Sequence, residues 1–207
     1  MKKIGIISFN APIILTITLM SLVILLLSIL TGGAVGQFFS IFFTRWSDPV
    51  MYLRLFTHVL VHQDLSHFTG NFLYILAVGP PVEEKYGSLP LAIMVAATAL
   101  VTGLVNIVFF KNVMLMGASG VVFMLILLAS FTNIREGRLP LTVLLVAMLF
   151  IGNEILTGLM VSDNISRISH VVGGLCGAGF GLFFHGGTIL GRKTIPPRDE
   201  NPDDLLL

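Results

Sequence analysis

Residues 11–31 read APIILTITLMSLVILLLSILT. From Ile13 to Leu30 there is no charged side chain, and the polar groups are hydroxyls. Crossing the hydrocarbon of a bilayer takes about 20 helical residues, and this run is that long. It also exceeds the apolar core of a secretory leader and has no small-x-small cleavage pattern before its end, so it reads as a retained first span. The whole chain has the same character. Of 207 residues, 55% are hydrophobic and 11% charged, against ~25% charged in soluble domains. So few charges cannot cover the outside of a water-soluble fold, whereas lipid as solvent removes the need. The expected class is an all-α polytopic membrane protein. The 21 glycines fit that class, because they let membrane helices approach closely.

Beyond the first span, residues 32–60 are broken by Arg45, Asp48, Pro49 and Arg54 and carry Phe pairs and Trp46. That composition predicts a loop with short helices lying at the interface. Further spans are predicted at about 65–82, closed by Gly79-Pro80-Pro81, and at 89–110, 117–133, 139–160 and 168–187. The six spans make one domain over 1–190, and 191–207 forms a polar tail.

With the N-terminus inside, the inner side holds Lys2, Lys3, Lys85, Arg135, Arg138, Arg192, Lys193 and Arg198. The outer side holds Arg45, Arg54, Lys111 and Arg167. This bias predicts that both termini are cytoplasmic. The net charge of +1 points to no nucleic-acid partner, and the single Cys176 excludes an internal disulfide.

Polar side chains at membrane depth are costly unless paired or wet. The set here is His62, His67, Asn71, Asn106, Ser119, Asn153, Glu154 and His170. The second, fourth and sixth spans all enter from the outer side. His67, Asn71, Ser119 and His170 therefore share a depth just beneath the outer surface, where one wet cavity could hold them. Ser119 stands in Gly117-Ala118-Ser119-Gly120, whose small residues allow a sharp turn into a helix. That helix start points backbone N–H groups at a developing anion. A serine hydroxyl becomes a nucleophile when a neighbouring imidazole takes its proton. His170 is followed by Gly173, Gly174 and Gly177, a face on which its helix can press against a neighbour, such as the serine helix.

Each feature also has a structural reading. The serine motif serves helix packing, His170 can anchor at an interface, and His67 with Asn71 can tie helices together. His67 and Asn71, spaced i,i+4, share a helical face and can both donate to an oxyanion. His58, His62 and His67 do not match a zinc spacing such as His-Glu-x-x-His, so no metal and no cofactor are expected. Glu154 reads as a structural hydrogen-bonding residue or part of a moving wall.

Taken together, these motifs resemble the rhomboid proteases. The likeness lies in Arg54, His58, His62, His67 and Asn71 at the start of the second span. It continues in Glu83 or Glu84 with Lys85-Tyr86-Gly87 at its end, Gly117-Ala118-Ser119-Gly120 on the fourth, and His170-Val171-Val172-Gly173 on the sixth. The resemblance implies a rhomboid-like six-transmembrane-helix bundle of the minimal prokaryotic form. It implies a Ser–His dyad with Ser119 as nucleophile and His170 as general base. Oxyanion stabilisation would come from His67, Asn71 and the Ser119 N–H, and the motif would be shaped by Gly117, Gly120 and Gly173. It further implies single-span membrane proteins as substrates and residence in the cytoplasmic membrane, with the site opening to the extracellular or periplasmic side. The main rival is an inactive relative that binds or escorts membrane clients. A transporter would carry polar groups through the full bilayer depth, which this chain does not.

Overall fold

The computed structural model describes residues 10–131, 141, 145, 148–149 and 164–184. Among them are seven α-helices and no strand: α1 (Pro12–Leu30), α2 (Ala34–Phe39), α3 (Pro49–Thr57), α4 (Leu65–Tyr86), α5 (Ser88–Phe109), α6 (Ser119–Ser130) and α7 (Asn164–Phe183). A single 3₁₀ turn, His58–Leu60, follows α3. Two helices, α1 and α5, are both long and apolar enough to cross a membrane. The predicted fifth span is described only at Leu141, Leu145, Met148 and Leu149, which are helical. Glu154 and the tail lie outside the described residues.

The first span has no side chain of its own to cap its N-terminus. Glu83, at the far end of α4, supplies the acceptors instead: its carboxylate takes the N–H groups of Ile13 and Ile14 at 3.0 Å each. Asn10 donates to Glu84 at 2.7 Å. Helix starts leave their first N–H groups without intrahelical partners, and lipid offers none, so this contact fixes α1 against α4. It also corrects the predicted end of the second span. Helix α4 runs through Pro80 and Pro81 to Tyr86 rather than closing at 82. Interior prolines remove donors and disfavour helix. Here the last turn is held because Val82, Glu83 and Tyr86 are buried and Glu83 is bonded to α1. Gly79 faces Ile14 so closely that a Cβ on it would lie 2.5 Å from that side chain. Gly87, at φ +90°, then turns the chain directly into α5.

The loop between α1 and α4 folds as the short helices expected of it. Asp48 caps α3 by accepting from the Val50 N–H at 2.9 Å, as N-cap carboxylates do. Arg54 Nε donates to the Phe38 carbonyl at 2.7 Å, and its guanidinium lies 4.4 Å from the centre of the Phe42 ring. Thr57 donates to the Phe39 carbonyl. Met51 and Leu55 of α3 pack with Ile41, Ile107 and Leu115, which seats the loop on α5. Trp46, Tyr52, Leu53 and Phe56 are exposed, as suits an interfacial element. A larger apolar cluster joins α1, α4, α5 and α6.

Helices α6 and α7 cross through glycine. A Cβ on Gly173 would fall on the backbone of Gly120, and one on Gly177 on the backbone of Met124. The same four-residue step on both helices makes them parallel. The last helix begins at Asn164, four residues before the predicted 168. Its polar first turn lacks the apolar signal by which a span is read, so His170 falls in the second turn.

Candidate active site

Three helix starts converge. Asp64 caps α4, its carboxylate accepting the His67 N–H at 2.8 Å. This sets His67 in the first turn and Asn71 one turn further on the same face. Ser119 is the first residue of α6, where backbone N–H groups have no intrahelical acceptor. His170 lies three residues before the Gly173–Gly120 crossing. Its ring rests on Phe123, centroids 4.6 Å apart, and Phe123 is one turn along α6 from Ser119.

Gly117 makes the junction possible. Its φ is +120°, a region nearly closed to residues with a Cβ. A Cβ there would lie 2.9 Å from Cε1 and Nε2 of His67 and 3.9 Å from Asn71 Nδ2. The missing side chain therefore lets His67 and Asn71 reach the turn before Ser119. Asn71 is buried, and its Nδ2 has no hydrogen-bond partner among the described residues. A buried donor left unmade costs about 1–3 kcal/mol.

Two histidines to which the sequence reading gave no role hold the serine loop. The His58 carbonyl accepts the Gly117 N–H at 3.0 Å, and its Nε2 donates to the Ala99 carbonyl at 3.0 Å. His62 Nε2 accepts the Ala118 N–H at 3.3 Å, which places its own proton on Nδ1. Both lie in the loop outside the spanning helices. Burial pushes the His58 imidazole down to about 4. Burial, then the neighbouring His67, does the same to His62. Both are therefore neutral near neutral pH. His62 is wedged against His67, Phe68 and Phe72. The signal in the sequence was the place of His62 among the polar groups beside a span and the grouping of His58 with His62 and His67. Their partners are backbone atoms some 40 to 60 residues away in sequence, which spacing does not reveal.

The structure thus gathers His67, Asn71, Gly117, Ser119, Gly120, His170 and Gly173 at one end of α4, α6 and α7. Such a set, a serine at a helix start beside imidazoles and an unpaired amide, can support acyl chemistry. The fold around it is that of an all-helical membrane protein. The Rhomboid domain family matches residues 49–187, more than half of the chain, and the chain belongs to the rhomboid family. Rhomboid-related protein 2 of Mus musculus is 28% identical over 141 residues, covering 62% of this chain and 46% of that protein. The chain therefore spans about half the length of the curated relative it matches.

Proposed function

We propose that this chain is an intramembrane serine endopeptidase that cuts single-span membrane proteins in or near their transmembrane segment. The observation that carries this reading is the Gly117 junction. There the side chain that would block His67 is absent, and the buried Asn71 amide is left without an acceptor beside the first residue of α6.

In this reading His170 takes the Ser119 proton as Oγ attacks the substrate carbonyl. Negative charge on the carbonyl oxygen is met by His67, Asn71 Nδ2 and the Ser119 N–H. Protonated His170 gives its proton to the leaving amine, the C–N bond breaks, and water hydrolyses the acyl-enzyme. Gly120 and Gly173 bring α6 and α7 close enough for the serine and histidine to meet. The bundle comprises six spans within 1–190, with 191–207 a cytoplasmic tail. Both termini face the cytoplasm of a prokaryotic cell, and the site opens to the extracellular or periplasmic side of the cytoplasmic membrane.

The test is cleavage of a single-span fusion with a helix-destabilised segment, in liposomes, by the parent and by Ser119→Ala and His170→Ala. Cleavage by the parent alone supports the dyad. Cleavage that persists in both variants overturns it. A folded parent that cuts no substrate but retains one in pull-down favours a client-binding role.

A further inference from the structure

Between α5 and α6 the chain turns at Lys111–Asn112 and then passes the first loop, with alternate residues Val113, Leu115 and Gly117 hydrogen-bonded to other segments. The Leu115 N–H and carbonyl exchange bonds with Ile41 at 2.8 and 3.1 Å, an antiparallel bridge. Two residues on, the Gly117 N–H reaches the His58 carbonyl. Two residues back, at Val113, the partner is a side chain. Asn106, in the last turn of α5, donates through Nδ2 to the Val113 carbonyl at 3.0 Å and reaches the Ile41 carbonyl at 3.5 Å. It is buried. One amide thus touches both sides of the bridge and forms its first rung, six residues before Ser119.

We propose that Asn106 is a positioning residue for the serine loop, clamping the first loop to residues 113–115 so that Gly117, Ala118 and Ser119 arrive in register with His67 and Asn71. This rests on the protease reading above. Among the described residues the Val113 carbonyl takes its hydrogen bond from Asn106, while Ile41 keeps its bond to Leu115. Losing the amide therefore frees the chain at Val113 first and lets the displacement run toward Ser119. An error of about 1 Å at a reacting group costs on the order of 100-fold in rate. Substrate binding between spans would be little affected, so the loss falls on kcat and not on KM.

The test is the labelling rate of Ser119 by a fluorophosphonate, with kcat, KM and thermal melting, on the full chain in detergent. The variants are Asn106→Leu, Asn106→Asp and, as a control, Thr98→Val. Thr98 is a buried hydroxyl on the same helix that donates to the Met94 carbonyl and lies beside the Cys176 thiol of α7, away from residues 113–115. Expected are labelling and kcat down about 10- to 100-fold in both Asn106 variants with KM unchanged. Thr98→Val should label at the parental rate even if it melts lower. If Asn106→Leu does not fold, Asn106→Ser, which keeps a donor without the reach, is read in the same way. Parental labelling in a folded Asn106 variant overturns the proposal, as does an equal loss in Thr98→Val at matched melting temperature. A parent that does not label at all overturns the protease reading itself, an outcome distinct from either.

Discussion

Replacing Gly117 by alanine adds one methyl group at the centre of the site. Two costs follow. The backbone at φ +120° is strained for a residue with a Cβ, by ~1–3 kcal/mol. The new Cβ would also stand 2.9 Å from His67, well inside contact distance, so the ring or the loop must retreat by roughly 1 Å. The loop resists, because the Gly117 and Ala118 N–H groups are tied to His58 and His62 on either side. Either movement misplaces an oxyanion donor or the serine, and a displacement of that size costs about 100-fold in rate, near 2.7 kcal/mol of barrier. Gly120→Ala is the comparison. There a Cβ would lie 3.3 Å from Thr102 Cγ2 and 3.4 Å from the Ser169 carbonyl, tight but relievable, and a smaller loss is expected. Initial rates on a single-span fusion, alongside thermal melting in detergent, separate a lost site from a lost fold. A Gly117→Ala protein that cleaves and melts like the parent would refute the role assigned to this turn.

Other expectations follow from the same contacts. His67→Ala and Asn71→Ala should each slow cleavage on the order of 100-fold without abolishing it; a parental rate in either removes that residue from the oxyanion site. Gly173→Ala places a Cβ 2.7 Å from the Gly120 carbonyl carbon, where backbone cannot yield, so melting should fall by the equivalent of ~1–3 kcal/mol and cleavage with it. Gly179→Ala, with nothing within 4 Å, should be neutral or slightly stabilising, and equal effects at the two glycines would contradict the helix crossing described. The folded imidazoles of His58 and His62 sit at about 4 against 6.5 unfolded. Below 6.5 the unfolded chain therefore binds more protons, and the stability they contribute is full above pH 6.5 and lost as pH falls toward 4. Protonated His62 also cannot accept the Ala118 N–H, so cleavage by the folded protein should decline as pH falls through about 4; melting that stays flat from pH 7 to 4 would count against both assignments.

The amino-acid sequence was sufficient for what depends on composition and period. An uncharged run from Ile13 to Leu30 and another within Ser88–Phe109 can only be satisfied by lipid or a deep core, and both are helices within a residue or two of the expected bounds. Helical spacing alone put His67 and Asn71 on one face, and the glycines after His170 announced a close helix contact. Tertiary structure decided what depends on partners distant in sequence. Pro80-Pro81 read as a stop because local propensity says so, yet α4 continues because Glu83 is bonded to α1, about 70 residues away. Of the two adjacent glutamates, Glu83 is buried against the start of α1 while the exposed Glu84 takes the Asn10 amide. The roles of His58, His62 and Asn106 as holders of the serine loop were invisible for the same reason. Their acceptors and donors are backbone groups of other segments, and a backbone group carries no identity in a sequence until the fold brings it within 3 Å or so of a side chain.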